Sequence, residues 1–188
     1  MRNSEIDLIV EALLFVSPEP LTQNQVNLVF DGMTPDLQAA IKRLTEKYDR
    51  QEQAFEIVAV AGGYQLQTKK QYDVFIRRLL NRSGQLQLSQ AALETLAIVA
   101  YRQPISRFGI ESIRGVDSTA VLKTLLSKTL IKIKGRGDGP GRPLLYATTD
   151  EFLQGFGLND ISDLPKLKEI SDLVSNASSA NPQIDAFK

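Results

Sequence analysis

Histidine, cysteine and tryptophan are all missing from this sequence of 188 residues. Without imidazole or thiol groups the chain has no thiolate nucleophile, no histidine base, no zinc site of the usual ligands and no disulfide framework. Catalysis would have to depend on carboxylates, lysine or serine, and no pair of acidic residues stands out as a hydrolytic site. We therefore predict that the chain is not an enzyme and that it holds no metal ion or cofactor.

Net charge and long apolar runs are lacking as well. The 22 Lys and Arg balance 22 Asp and Glu, which argues against strong non-specific binding to nucleic acid, because such affinity comes from an excess of basic side chains. No stretch approaches the roughly 20 apolar residues of a membrane-spanning helix, and an acid precedes the first apolar run, unlike in a signal peptide. With 43% apolar residues, the composition predicts a globular, cytoplasmic protein without membrane association.

Helical periodicity dominates the first part of the chain. Apolar residues recur at spacings of three and four in three segments, the last of which is expected to open at Thr34 with Pro35 in its first turn. The period changes to two between residues 55 and 68, where Gly62 and Gly63 interrupt the alternation and predict a tight hairpin turn. Three helices followed by a hairpin are the plan of a winged helix-turn-helix module.

The same order occurs a second time. After a polar linker at 81–88, Ser89 is placed to cap a new helix, and Pro104 breaks that helix as Pro20 breaks the first one. This duplication predicts a mainly α fold with small β-hairpins, built from two tandem winged-helix domains and a flexible carboxy-terminal tail. The predicted bounds are 1–82 for the first domain, 89–157 for the second domain and 158–188 for the tail, which is expected to be mostly disordered towards its end.

A winged-helix module docks on nucleic acid or on protein, so the fold leaves the partner open. Residues 89–157 hold nine basic and six acidic residues, and this mild excess keeps a winged-helix DNA-binding transcriptional regulator as an alternative. The outward positions of the third helix there are predicted to be Ser118, Thr119, Lys123, Thr124 and Ser127. None of them is an Arg, Asn or Gln that reads bases, so DNA contact is expected to be weak. The residues predicted to meet a DNA backbone are Lys128, Lys132, Lys134 and Arg136.

Several segments together resemble bacterial segregation and condensation protein B, the ScpB family. The resemblance covers about residues 6 to 167. The segments that carry it are Glu11 to Val16, Gly62 to Leu66, Leu88 to Ile105, Ile113 to Ser118 and Gly139 to Tyr146.

The resemblance implies a function without catalysis. A member of this family is an accessory subunit of the SMC complex in chromosome condensation and segregation, and so in the cell cycle and cell division. It works as a homodimer that binds the kleisin ScpA and through it SMC, in the cytoplasm and associated with the nucleoid. The resemblance also implies that the amino-terminal domain forms the dimer and that the carboxy-terminal domain binds the kleisin. It points to no small-molecule ligand.

Two segments of the second domain are the candidates for kleisin binding. The residues are Tyr101, Arg102, Gln103, Pro104, Gly141, Arg142, Pro143 and Tyr146. Structural roles remain open for several of them. Tyr101 lies on the apolar stripe of its helix and fits a packing role, Arg102 fits a cap of helix carbonyls, and Arg142 fits the entry to the last strand.

Overall fold

A computed structural model describes residues 2–80 and 88–166. These residues form helices joined with a two-stranded and a three-stranded antiparallel sheet, and no helix among them is long and apolar enough to cross a membrane. The helices are α1 (Asn3–Val16), α2 (Gln23–Val29), α3 (Leu37–Arg50), α4 (Asp73–Leu80), α5 (Gln90–Arg102), α6 (Arg107–Arg114), α7 (Thr119–Ser127) and α8 (Asp150–Phe156). The strands are β1 (Phe55–Val60), β2 (Gly63–Thr68), β3 (Ile105–Ser106), β4 (Ile131–Arg136) and β5 (Leu144–Thr148). Most of the predicted linker and the end of the predicted tail lie outside the described residues.

The first winged-helix unit is built around the contact between α1 and α3. Val10 and Leu14 are four residues apart and therefore lie on one face of α1, where both are buried. They share a core with Leu44 and Tyr48 of α3 and with apolar residues of α2. The predicted apolar stripes of these helices are confirmed, because the residues in them form this core.

The start of α3 differs from the prediction. The helix begins at Leu37, whereas Thr34 was expected to open it with Pro35 in the first turn. Asp36 is the reason, because its carboxylate accepts a hydrogen bond from the amide of Ala39 at 3.0 Å and caps the first turn. Thr34 and Pro35 belong to the connection that leads into the helix.

The first hairpin has its turn one residue earlier than predicted. Val60 pairs with Gly63, so the two turn residues are Ala61 and Gly62, with φ of 48° and 73°. Gly63 instead begins β2, where a β-carbon would lie 3.0 Å from the carbonyl oxygen of Leu21. Glycine is therefore needed at this position because two backbone segments approach each other closely, and not because of the turn.

The second winged-helix unit repeats the plan with one added strand. Ser89 and Ser106 cap α5 and α6 as hydrogen-bond acceptors for amides in the first turns. Gly115 ends α6 with φ of 74°, at the corner before α7. The short strand β3 was not predicted; it pairs with β5, which lies between β3 and β4 in the sheet. The chain thus folds as two tandem winged-helix units.

The two units have separate hydrophobic cores. Leu158, Ile161 and Leu164 pack against the second core, so the segment that follows α8 is part of this unit as far as it is described. Beyond the cores, the two units also touch. The amide of Ala61 donates to the carbonyl oxygen of Leu158 at 3.0 Å, and the amide of Gly62 donates to the carbonyl and side-chain oxygens of Asn159 at 3.0 Å and 3.1 Å.

Candidate protein-binding groove

The second winged-helix unit has an open groove of about 500 Å³ on one side of its sheet. Helices α6 and α7 form one wall, and strands β4 and β5 with the residue before β5 form the other. The lining residues are Arg107, Phe108, Thr119, Leu122, Lys123, Leu126, Ile133, Pro143, Leu144 and Tyr146. A concave, mainly apolar surface with a few polar groups at its edge is typical of a binding site. We call this surface the α6–α7 groove.

Phe108 gives the groove its largest exposed apolar side chain. Because Ser106 caps α6 through the amide of Gly109, Phe108 lies in the first turn, and its side chain is 79% exposed. Leu122 and Tyr146 at the floor are buried and belong to the core of the unit. A ligand that covers Phe108 would therefore remove an aromatic ring from water above a rigid apolar floor, which favours binding by about 1.5–3 kcal/mol.

The polar rim of the groove is held by a short chain of hydrogen bonds. Arg107 donates to the hydroxyl of Thr119 at 2.8 Å and lies 3.6 Å from a carboxylate oxygen of Glu111. The Thr119 hydroxyl and amide both donate to Asp117, and the hydroxyl bond above all holds the pKa of Asp117 below its ordinary value. Lys123 is exposed on the same side. The rim thus combines two cations of the lining with a carboxylate beside it that stays ionised.

Part of the predicted kleisin site lies in or near this groove. Pro143 and Tyr146 line it. Gly141 and Arg142 belong to the loop before β5, and both have positive φ, 76° and 44°. The backbone oxygen of Arg142 accepts a hydrogen bond from the guanidinium of Arg136 at 3.1 Å, which ties the two sides of the loop together. These two residues therefore shape the loop, while Pro143 and Tyr146 belong to the groove.

The other predicted residues do not line the groove, and the side chains of two of them form hydrogen bonds within the protein. The hydroxyl of Tyr101 donates to a backbone carbonyl near the end of the described chain at 2.7 Å. The side-chain oxygen of Gln103 accepts from the amide and the hydroxyl of Thr148. Arg102 and Pro104 are exposed at the end of α5. The α6–α7 groove therefore contains Pro143 and Tyr146 but none of the four predicted residues Tyr101 to Pro104.

The predicted DNA-contact residues are exposed around the second hairpin. Lys128 follows the last turn of α7, and Lys132, Lys134 and Arg136 lie along β4. Strand β4 has an irregular register between Ile133 and Gly135, so the two lysines of the strand do not follow a regular alternation. This arrangement spreads the basic side chains over one edge of the unit.

One of the predicted outward positions of α7 is wrong. Ser118 is completely buried, because the guanidinium of Arg114 donates to its hydroxyl at 3.0 Å and its amide donates to Glu111 at 3.2 Å. Ser118 therefore fixes the corner between α6 and α7. It is not available to read bases.

In the first unit, two of the four basic side chains of α3 are engaged by acids of α1. The guanidinium of Arg43 donates to both carboxylate oxygens of Asp7, with the shortest contact at 2.6 Å. Lys47 lies 3.0 Å from a carboxylate oxygen of Glu11. These pairs neutralise charge on the side of α3 that faces α1. Sequence periodicity within α3 does not reveal them, because the partners lie 36 residues away.

Within residues 2–80 and 88–166, no group of three or more acidic side chains is arranged to hold a metal ion.

Comparison with known proteins assigns the chain to a family. A family model described as segregation and condensation complex subunit ScpB matches residues 8–167. This chain belongs to the ScpB family. The segregation and condensation protein B of Syntrophotalea carbinolica is 44% identical over 186 residues, which are 99% of this chain and 94% of that protein.

Two solved ScpB structures are also similar in sequence. ScpB from Mycobacterium tuberculosis is 30% identical, with 84% of this chain and 98% of that chain covered and a TM-score of 0.40. A dimer of a ScpB amino-terminal domain complexed with a ScpA peptide is 30% identical, with 40% of this chain and 95% of that chain covered and a TM-score of 0.36.

Membership of the ScpB family confirms the resemblance inferred from the sequence motifs and places the chain among non-catalytic subunits. The sequence motifs did not identify four residues that line the α6–α7 groove. Arg107, Phe108, Lys123 and Ile133 were not proposed as binding residues. One signal for Phe108 was present, since the helix buries Ile110 and a large aromatic residue two positions earlier falls outside that buried stripe.

Proposed function

We propose that the chain is a non-catalytic accessory subunit of the bacterial SMC–kleisin complex. It takes part in chromosome condensation and segregation in the cytoplasm, on the nucleoid, by binding the kleisin ScpA as a homodimer. We assign dimerisation to residues 1–82 and kleisin binding to residues 89–157. Membership of the ScpB family supports the complex, and the α6–α7 groove supports the second assignment.

The single observation that carries the kleisin site is the exposed ring of Phe108 above the apolar floor of the groove. An aromatic side chain at the centre of a concave surface is the kind of residue that supplies most of the energy of a protein interface. Arg107 and Lys123 flank this centre. The groove therefore fits an apolar segment of the kleisin that carries acidic residues at its flanks, with the charges setting its orientation and rate of association.

The test is the affinity of the full chain for purified ScpA, measured by isothermal titration calorimetry. Phe108→Ala is expected to raise Kd about 30-fold, since truncation of a central anchor costs about 2 kcal/mol. Ile113→Ala is the matched control, because Ile113 lies on the same helix, is 55% exposed and does not line the groove. Its Kd is expected to stay within about twofold of the wild type.

A second pair of variants tests the charged rim. Lys123→Glu is expected to slow association with ScpA and to change its salt dependence, because a rim charge acts mainly on the association rate. Lys128→Glu makes the same change of charge five residues later, outside the groove lining. Unchanged affinity in both Phe108→Ala and Lys123→Glu would contradict the assignment and place the kleisin contact elsewhere, for example on the amino-terminal unit.

A direct DNA-binding role is the second candidate, and the exposed basic side chains on the second hairpin favour it. We infer weak, sequence-independent contact at most, because Arg43 and Lys47 on α3 of the first unit are paired with acids and α7 contains no Arg, Asn or Gln. Gel shifts with the chain alone over a range of salt concentrations test this. Selective retardation of one duplex over unrelated duplexes would favour the transcriptional regulator instead.

A further inference from the structure

Helix α4 exposes most of its apolar side chains, and Phe75, Leu79 and Leu80 lie on one side of it. Val74, Phe75, Leu79 and Leu80 are 57%, 66%, 81% and 54% exposed. The strongest contact of this helix with another described element is with the single helical turn before it, at Lys70–Tyr72. Phe75 and Leu79 are one helical turn apart and therefore lie side by side. A helix that presents such a face in water requires a partner surface.

The same unit also contains an apolar groove. It has a volume of about 550 Å³ and lies between α1, the base of α3 and the hairpin. Its lining includes Leu8, Glu11, Phe15, Tyr48, Phe55 and Leu66. Leu8 and Phe15 at its edge are 61% and 83% exposed. We call this surface the α1–hairpin groove.

We propose that in the homodimer α4 of each protomer docks in the α1–hairpin groove of its partner. The proposal rests on the homodimer of the proposed function and assigns its contact surfaces. A two-fold axis would pair the helix of one copy with the groove of the other and the reverse, so both exposed surfaces are covered by one symmetric contact. The mode is that of an amphipathic helix in an apolar groove.

The available surface fits a stable dimer. Five large apolar side chains of each protomer are more than half exposed on these two surfaces: Leu8, Phe15, Phe75, Leu79 and Leu80. Since a fully covered aromatic side chain buries about 150–250 Å², the exposed parts of Phe15 and Phe75 alone supply roughly 220–370 Å² per protomer. The three leucines add to this area and bring it towards the ~800 Å² per partner of a standard interface.

Charge adds little to this contact. The acids of α1 are already engaged within their own protomer, because Asp7 pairs with Arg43 and Glu11 pairs with Lys47. The apolar surfaces therefore carry the proposed contact.

The experiment measures the mass of the full chain by light scattering after size exclusion. Leu79→Glu in the helix and Phe15→Glu in the groove are each expected to raise the dimer dissociation constant at least about 100-fold, because a charge would have to be buried in an apolar contact. Leu28→Glu is the matched control: Leu28 is 82% exposed on α2 and does not line the groove. It should leave the dimer intact. Unfolding by urea, followed in parallel, shows whether each variant is folded.

Mixing the two variants gives the decisive result. A Leu79→Glu chain keeps its groove and a Phe15→Glu chain keeps its helix, so the mixture is expected to form a heterodimer through one unaltered contact. Dimers that persist in both folded variants, or a mixture that stays monomeric, would overturn the proposal while leaving the homodimer itself in place. A wild-type chain that is monomeric at about 50 µM would instead overturn the homodimer and this proposal together. If the Phe15→Glu chain stays dimeric but no longer binds ScpA, the groove binds the kleisin and the proposal is wrong.

Discussion

The side-chain oxygen of Gln103 accepts two hydrogen bonds from Thr148, from the amide at 2.8 Å and from the hydroxyl at 3.1 Å. These bonds fasten the end of α5 to the last residue of β5. Gln103→Leu leaves a partly buried amide without its acceptor, and we expect it to lower the free energy of unfolding by about 1–3 kcal/mol. Urea denaturation measures this. The affinity of this variant for ScpA should remain within about twofold of the wild type. A large loss of affinity with unchanged stability would show that Gln103 contacts ScpA.

Tyr48 predicts a specific dependence of stability on pH. Burial raises the pKa of Tyr48 above its ordinary value, with a further contribution from the hydrogen bond of 2.8 Å to Glu11. Because the folded chain holds this proton more tightly than the unfolded chain, the stabilisation is complete below about pH 10 and is lost as the pH rises above it.

The measurement compares the wild type with Tyr48→Phe. The stability advantage of the wild type over Tyr48→Phe should shrink by on the order of 1 kcal/mol between pH 9 and pH 11. Other groups that titrate in this range contribute to both proteins and cancel in the difference. A difference that stays constant over this range would show that the Tyr48 hydroxyl titrates alike in the folded and unfolded chains.

Gly63 predicts a contrast between two glycine substitutions. A β-carbon at Gly63 meets backbone atoms of Pro20 and Leu21 at 3.0 Å, whereas one at Gly135 meets nothing within 4 Å. Gly63→Ala is expected to lower the free energy of unfolding by about 1–3 kcal/mol, because the backbone must move to make room. Gly135→Ala should change it by less than about 0.5 kcal/mol. Thermal unfolding of both variants would show equal midpoints if the contact with residues 20 and 21 were unimportant.

Thr149 joins two elements of the second unit through one hydroxyl. It accepts from the amide of Phe152 at the start of α8 and donates to the carbonyl oxygen of Thr129. Thr149→Val keeps the shape but removes both bonds, and we expect a loss of about 0.5–2 kcal/mol in denaturant unfolding. Thr149→Ser keeps both bonds and should stay close to the wild type. A loss in Thr149→Ser without a loss in Thr149→Val would assign the effect to the methyl group instead.

The sequence predicts the fold correctly where the local structure depends on residues that are close together in the chain. The caps by Ser89, Ser106 and Thr149 follow from side chains within three residues of the amides they bind. The errors arose where a contact from elsewhere decides the structure. Glycine is needed at position 63 because of its close approach to the backbone of residues 20 and 21, and not because of the hairpin turn. Strand β3 forms because Ile105 pairs with Tyr146, 41 residues later.

The binding surfaces were harder to predict than the fold. Phe108 and Lys123 come together only when α6 and α7 pack against the sheet, so neither is marked by its neighbours in the sequence. Gln103 shows the opposite error. It lies in a segment that is typical of the family, but its side chain is used internally. Family motifs thus indicated a functional class correctly without separating residues that bind a partner from residues that hold the unit together.

The hydrogen bonds from the turn at Ala61 and Gly62 to Leu158 and Asn159 have a mechanical consequence. Each contributes only about 0.5–1.5 kcal/mol, while the two hydrophobic cores are separate. Breaking these hydrogen bonds between the two units therefore costs far less free energy than unfolding either unit. We therefore expect the two units to separate at this contact before either core unfolds.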